Sequence, residues 1–395
     1  MVKEDPGSKF SIGYVRKETA GEEEGDDANV EKEIAYIYFQ TSAMGETLKK
    51  YPEVLQMDVT YKVNKNDMHL ANIECIDNHG KGRLVGHALI HRETTEILTA
   101  VTAQFKRLNP EAAEKVETIF VDKDRKEISA IRQILPNAVV HLCHVHVMRV
   151  FKSAVKKDSN KTEVYEILKS IANSASKDIF DSGYEELKKK CSPDTLKYFD
   201  QNWKDIPEKW VAYTRKGSVT LGIRSTNHIE SKHGKIKRLT KRTDTIAQNI
   251  RSLRLLHRNC ELESGYRDYR EVSCVSYVAN CDDPEVQEIM NTFVHNTAKL
   301  LVREQRESKG LMVDNVKSSQ CDCEFFTTYN LKHCRHIFSM RREEGKLLGF
   351  LNLYSHLQFN INMFNYASSN TILLDITVIN VQLSFLLSQD FPYCA

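Results

Sequence analysis

From Pro52 onward apolar and polar positions alternate: Leu55, Met57, Val59, Tyr61 and Val63 are interleaved with Gln56, Asp58, Thr60 and Lys62. A period of two puts successive side chains on opposite faces. The stretch therefore predicts a half-buried strand with Asp58 on the face opposite the apolar set. Met68–Ile76 and Arg83–His91 predict two more strands, and Asn78-His79-Gly80 between them is turn chemistry. Thr94–Leu108 changes to a helical pattern, ended by Asn109-Pro110. Val116–Val121 predicts a short buried strand ending in Asp122, an acid at its C-terminal tip. A helix over 125–135 is stopped by Pro136-Asn137, a strand follows over Ala138–Leu142, and helix resumes near His144. Three strands, then helix, strand, helix, strand and helix, predict an α/β fold in which a mixed sheet is flanked by helices.

Residues 160–220 break this rhythm. Leu168, Ile171, Leu187, Leu196, Phe199, Trp203 and Trp210 sit in a charged, helical background, which predicts an all-α insertion. Helix is expected again from Asn227 to beyond Leu256, and over 283–306. The beginning is polar, with Glu22, Glu23, Glu24, Asp26 and Asp27 in an acidic run, so residues 1–34 are expected to form a disordered leader. The predicted organisation is leader 1–34, core 35–270 with its insertion at 160–220, helical linker 271–315, a small Cys-rich unit 316–345 and a divergent tail 346–395. In the tail the apolar run Ile372–Leu387 is interrupted by Asp375, Asn380 and Gln382, and it falls short of the ~20 residues a membrane span needs.

Composition narrows the class. Hydrophobic residues make up 41% and charged residues 28% of the 395, enough apolar material for a sizeable core. Lys+Arg number 56 against 54 Asp+Glu, so the global charge predicts no partner and electrostatic arguments must be local. The opening MVKEDPGSKF lacks an apolar signal core, so no secretory signal is expected. Ten cysteines without such a signal point to a reducing, intracellular setting, where clustered Cys and His read as metal ligands before disulfides.

The segment CDCEFFTTYNLKHCRHIF pairs Cys321 with Cys323 and Cys334 with His336. Structural zinc takes four tetrahedral ligands, preferably thiolate and imidazole, and two short-spaced pairs joined by a loop supply them. The bland alternative is a chance cluster of buried thiols, and His333 is a rival to His336 as fourth ligand. Phe325, Phe326, Ile337 and Phe338 would form the small core that so short a unit needs. Loss of Cys334 is then expected to release zinc and unfold residues 320–340, leaving the main core untouched.

Three acids stand at promising places: Asp58 on a central strand, Asp122 at a strand tip, and Glu230 in STNHIESKHGKIKR at a helix start. Carboxylates suit Mg²⁺, and two such ions about 3.5–4 Å apart can activate the attacking oxygen and stabilise the leaving oxygen in phosphodiester chemistry. Each acid also has an ordinary reading. Asp58 fits a solvated strand position, Asp122 a helix cap, and Asn227 with Glu230 a capping box. Asp124 is a rival to Asp122. Cys143-x-x-His146 fits a packing and hydrogen-bonding role at a strand–helix junction.

Those segments carry a family resemblance. YPEVLQMDVTYKVN resembles the first catalytic motif of Mutator-like element (MULE) transposases. VETIFVDKDRKEISAIRQILPNAVVHLCHVH resembles their second-acid block with its Cys-x-x-His signature, and STNHIESKHGKIK the block bearing their Glu. The downstream Cys cluster is similar to the SWIM zinc finger, and the nearest likeness is to animal SWIM proteins with a transposase-derived domain. The resemblance spans roughly residues 35–340. It implies an RNase H-like fold, a helical insertion before the Glu, a DDE triad of Asp58, Asp122 and Glu230, structural Zn²⁺ on the finger, and Mg²⁺ or Mn²⁺ for catalysis. Asp122 is favoured over Asp124 by its distance to the Pro136 and Cys143 landmarks.

Beside Glu230 lies a basic run without acids: Lys232, Lys235, Lys237, Arg238, Lys241 and Arg242. A solvated helix face is the ordinary reading, and phosphate contact is the functional one. The resemblance implies a nuclear, DNA-associated protein that cuts and joins DNA. The competing expectation is an inactive, domesticated regulator that binds DNA or protein through the finger, and a third is a stand-alone nuclease. Related transposases carry a DNA-binding domain upstream, where this chain has only the polar leader, so a fragment or domesticated copy is also expected.

Overall fold

The computed structural model describes residues 5–16, 32–60, 63–274, 282–311, 321, 323–329 and 333–343. Its centre is a seven-stranded mixed sheet of β1 (Lys9–Arg16), β2 (Lys32–Gln40), β3 (Val54–Thr60), β4 (His69–Ile76), β5 (Gly82–Ile90), β6 (Thr118–Val121) and β7 (Val139–Leu142). The strand order is β1-β2-β5-β4-β3-β6-β7. From β1 to β3 neighbours run antiparallel, while β3, β6 and β7 are parallel. This is the α/β, RNase H-like arrangement that the pattern and the resemblance predict.

Helices α1 (Ser42–Lys50), α2 (Thr95–Leu108), α3 (Pro110–Glu114), α4 (Arg125–Ile134) and α5 (His144–Ala154) belong to the core. Their starts follow from local chemistry. Thr41 and Thr94 accept hydrogen bonds from Met44 and Ile97, Asp124 accepts from Lys126, and Pro110 occupies a first-turn position where its missing N–H costs nothing. The main hydrophobic cluster joins Leu55, Met57 and Val59 of β3 to Val101 and Phe105 of α2, Ile131 of α4 and Phe151 of α5.

The other face of the sheet is covered too, by α9 (Asn227–Leu239) and α10 (Ile246–Cys274), where Ile236, Leu253 and Leu256 pack on Phe39, Leu70 and Leu89. The expected half-exposed β3 is therefore buried on both faces. Its polar row is accommodated by hydrogen bonding: Gln56 is fully buried and donates to the Ser225 carbonyl at 3.0 Å.

Between α5 and α9 lies the insertion, built from α6 (Lys161–Ala172), α7 (Lys177–Lys190), α8 (Pro193–Phe199) and short turns. It shares the main core. Phe151 of α5 meets Trp203 and Trp210 edge-on at centroid distances of 4.8 and 5.3 Å, and Trp210 donates its indole N–H to the Trp203 carbonyl at 3.1 Å.

Four further expectations change. Part of the leader is a strand: Lys9–Arg16 pairs antiparallel with β2, using the alternation of Phe10, Ile12 and Tyr14 with Lys9, Ser11 and Gly13, while the acidic run at 22–27 lies outside the described residues. Gly13 lies under the Tyr36 ring, where a Cβ would overlap ring atoms. The helix expected from Asn227 past Leu256 breaks at Thr240–Thr245, where the Asp244 carboxylate accepts from Lys241 N at 2.7 Å and Thr245 Oγ1 from Gln248 N at 3.2 Å. The helix expected over 283–306 is two, α11 (Pro284–Thr292) and α12 (His295–Glu307), with Val294 in extended backbone between them. No glycine or proline marks that break.

The fourth change concerns the Cys-rich unit. Its helices α13 (Glu324–Tyr329) and α14 (Arg335–Glu343) do not close a private core. Phe325, Tyr329 and Phe338 pack on Ile289, Phe293 and Leu301 of the α11–α12 hairpin, and Arg335 forks onto Glu304. The Thr328 carbonyl accepts from both Thr220 N and Leu221 N at 3.0 Å, so the unit is also bonded to the loop that leads into α9. Among the described residues no helix is long and apolar enough to cross a membrane. The tail 346–395 lies outside the described residues.

Candidate functional site

Parallel pairing of β3 with β6 sets Val54 opposite Thr118, Leu55 opposite Ile119 and Gln56 opposite Phe120. Carried two residues further, this register places Asp58 beside Asp122, one strand spacing of about 4.8 Å away in the sheet. Helix α9 brings Glu230 to the same edge in its first turn. The imidazole of His146, on the first turn of α5, bridges the acids: Nδ1 lies 2.6 Å from Asp122 Oδ1, and Nε2 lies 3.3 Å from Glu230 Oε1. Arg149, one turn on, forks onto Glu230 at 3.3 and 3.2 Å. Asp58, Glu93, Asp122, Glu127, Cys143 and His146 line a cleft of about 300 Å³.

The ordinary readings of the acids separate here. Asp124, not Asp122, caps α4, accepting from Lys126 N at 2.6 Å. Helix α9 has no side-chain cap bond, and Glu230 turns to His146 and Arg149 instead of back to the helix start. Asp58 is not a solvated strand residue. Burial, and then the negative charge of Asp122, push its carboxyl up to about 7. His146 is pulled up to about 10, chiefly by Asp122 and then by Cys143. Burial, followed by Asp58 and Asp122, also raises Glu127 well above the ordinary carboxylate range, and its Oε2 is buried without a hydrogen-bond partner. Crowded, mutually repelling carboxylates with an unpartnered oxygen are a donor set that a hard divalent cation neutralises, so the residues present fit Mg²⁺ or Mn²⁺.

Behind Asp58 runs a buried polar chain. His233 Nδ1 lies 3.2 Å from Asp58 Oδ2, its Nε2 lies 2.9 Å from Asn72 Nδ2, and Asn72 Oδ1 lies 2.6 Å from His87 Nδ1. Since the Asn72 amide nitrogen can only donate, His233 Nε2 accepts, and the imidazole hydrogen sits on Nδ1, facing Asp58. Burial pushes His233 down to about 4 and His87 to about 3, so both rings are neutral and the chain orients Asp58 without neutralising it.

The Cys143-x-x-His146 pair divides its roles. Cys143 is at the N-cap position of α5, and its Sγ accepts from Thr226 N at 3.2 Å, which ties the β7–α5 junction to the start of α9. Burial raises its thiol, but the hydrogen bonds from His146 and Thr226 outweigh that and hold it below the ordinary range. Asp122, Cys143 and His146 present ligand atoms within 4.8 Å of one another.

The Cys-rich unit brings its four predicted ligands together: atoms of Cys321, Cys323, Cys334 and His336 lie within 4.8 Å of one another. His336 Nδ1 is 3.5 Å from Cys321 Sγ and 3.9 Å from Cys334 Sγ, close to the roughly 3.8 Å edge of a tetrahedron with Zn–S bonds of about 2.3 Å. Hydrogen bonding from Cys334 holds the Cys323 thiol down at about 5, against the opposing effect of burial, so a thiolate is favoured. His333, the rival ligand, is buried, with Nε2 3.4 Å from Arg341.

The basic run is only partly a surface. Lys237, Arg238, Lys241 and Arg242 are exposed and Lys235 is half-exposed, near Glu263, but Lys232 turns inward to Glu74 and the Gly82 carbonyl. Burial pushes its ammonium down to about 7. It sits one helical step from the buried His233 and Ile236, on the face of α9 that packs against the sheet, and is removed from the candidate phosphate contacts. Sequence reasoning missed Glu127, Arg149 and His233. The D-x-x-E spacing of Asp124 and Glu127 is a signal, but a capping box absorbs it.

With this geometry in view, residues 16–141 match the model of the RNaseH-like domain of zinc finger SWIM domain-containing protein 1/3. That stretch holds Asp58 and Asp122. The chain is also 20% identical over 359 residues to Protein FAR-RED IMPAIRED RESPONSE 1 of Arabidopsis thaliana, which covers 87% of this chain and 42% of that protein. The chain thus spans about two fifths of the length of the curated relative it matches. The two likenesses support the resemblance to a transposase-derived RNase H-like domain with a SWIM-type finger.

Proposed function

We propose that this chain is a DNA-associated, nuclear protein whose RNase H-like cleft retains divalent-metal-dependent cleavage and strand transfer, and whose Cys321–Cys323–Cys334–His336 cluster holds structural Zn²⁺. The observation that carries the reading is that the sheet register sets Asp58 beside Asp122, while the His146 imidazole joins Asp122 to Glu230.

In this reading Asp58, Asp122 and Glu230 would hold Mg²⁺ or Mn²⁺, which would supply an activated oxygen nucleophile and charge stabilisation at phosphorus. His233, backed by Asn72 and His87, fixes the Asp58 carboxylate. His146 holds Asp122 between strand tip and helix. Trp203 and Lys123, whose ammonium lies 3.7 Å from the centre of the Trp203 ring, line the insertion side of the cleft. The exposed lysines and arginines of the run after Glu230 give salt-dependent affinity for the backbone.

The test is nicking of supercoiled DNA by the purified full chain with Mg²⁺ or Mn²⁺, against Asp58→Ala. Product that depends on metal and vanishes in the variant is expected; equal activity in both proteins sinks the reading. A second reading has its own observation. Glu230 is paired with both His146 and Arg149, so cations already occupy the side a metal would approach. In an inactive, domesticated regulator that pairing persists, DNA or protein is bound through the finger, and no cleavage appears even when Arg149→Ala frees the carboxylate.

A further inference from the structure

A second cleft, of about 470 Å³, opens where the finger meets the loop between the insertion and α9. Arg215, Lys216 and Arg224 approach it from the loop, and Arg303 and Arg335 from the finger side, against the two acids Glu304 and Glu324. The cations differ in their freedom. Arg303 pairs with Glu307, and Arg335 with Glu304 and Glu307. None of Arg215, Lys216 and Arg224 forms an ion pair among the described residues.

Arg215 is 8% exposed; it gives one bond to the Trp210 carbonyl at 3.0 Å, while its Nε is buried with no partner. Burial, and then Arg224, push its guanidinium down to about 10. A buried arginine without an acid, beside a second arginine, is costly unless an anion sits between them. Phe325 and Tyr329, with ring centres 5.1 Å apart, form an aromatic wall of the same cleft.

We infer that this cleft binds a single nucleic-acid strand, with a backbone phosphate held between Arg215, Lys216 and Arg224 and a base against Phe325 and Tyr329. Cations that track a backbone beside aromatic rings are the recurring chemistry of single-strand binding, and guanidinium forks match phosphate oxygens. Position favours a strand over an acidic peptide. The Arg224 carbonyl accepts from His144 N at 2.9 Å, and two residues later Thr226 N binds Cys143. The loop that supplies the cations therefore also borders the carboxylate cleft, and a strand held at Arg224 is led towards it. This inference rests on the DNA-associated reading above and adds the place of contact.

The experiment measures binding of a fluorescein-labelled single-stranded oligonucleotide to the full, zinc-loaded chain across a salt series. Lys216→Ala/Arg224→Ala, both exposed positions, is expected to raise Kd about ten-fold and to flatten the slope of log K against log salt by about 0.7, the change for one lost phosphate contact. Arg224→Lys should keep the slope, which separates lost charge from lost folding. Unchanged Kd and slope in the double variant overturn the inference. So does poly-glutamate that competes as well as the oligonucleotide, which would assign the cleft to an acidic peptide. Cleavage is read separately: a wild type that binds but does not cut removes the catalytic reading and leaves this one intact, whereas a wild type that does not bind DNA removes both.

Discussion

Asp58 shows how one residue links structure to measurable behaviour. Its folded carboxyl titrates at about 7, above the ordinary 3.8, so the folded metal-free state holds a proton that the unfolded chain gives up. Stability from this group is complete below about pH 4, declines as pH rises to about 7, and is level beyond; the span amounts to roughly 2–4 kcal/mol. Asp58→Asn should lessen the decline measured by urea unfolding from pH 4 to 8, in magnesium-free buffer without chelator so that the Cys-rich unit is not stripped of metal. A variant with the wild-type slope would place the titrating group elsewhere. His146 works in the next window. Its folded value near 10 lies above the ordinary 6.5, so its contribution is present below 6.5 and fades as pH rises towards 10, and His146→Gln should be flatter there. Asn72→Leu would strand His233 Nε2 and His87 Nδ1 in a dry interior, at a cost of about 2–4 kcal/mol in the same assay. Loss below 0.5 kcal/mol would mean that water replaces the amide.

At the level of elements, the loop between the insertion and α9 is the critical piece. Leu221 and Gly222 both have positive φ, 51° and 75°, and a Cβ at Gly222 would lie 2.7 Å from Tyr329 Oη. Gly222→Ala should therefore weaken finger docking by about 1–2 kcal/mol without removing a zinc ligand. Hydrogen exchange would speed up across 219–226 while metal content holds; unchanged exchange would refute the docking role. Cys334→Ser removes a ligand, and exchange should then speed up in α13 and α14 and also in that loop, because Thr328 is bonded to it. This departs from the expectation that the main core is indifferent to the finger. The same contrast shows what could be read in advance. Strands β3 to β7 were legible because period two and short apolar runs are local signals. The clustering of Cys321, Cys323, Cys334 and His336 was legible because their pairing is written in adjacent residues. The positive-φ loop, the break at Val294 and the inward turn of Lys232 were not, since each is decided by what arrives from a distant part of the chain. Glu127 was hidden in a spacing that capping explains equally well.

Across the whole molecule the insertion and the sheet form one body. The cluster of Phe151, Phe199, Trp203 and Trp210 joins α5 to α8 and the turns after it. Trp210→Ala should cost about 3–5 kcal/mol, and far- and near-ultraviolet circular dichroism should melt together. A biphasic melt in the wild type would mean that the insertion is a separate unit. The bond from Gln56 to Ser225 has a consequence for synthesis. It closes 169 positions, and the loop it reaches, already held by His144 and Cys143, gains its bonds to the Thr328 carbonyl last. A chain leaving the ribosome shows Asp58 and Asp122 early, but it cannot complete the acidic edge until the insertion has emerged and packed. Such long-range closures are slow steps in folding. Nascent chains that end before Glu230 thus lack the third acid of that edge, whichever part of the sheet has already formed.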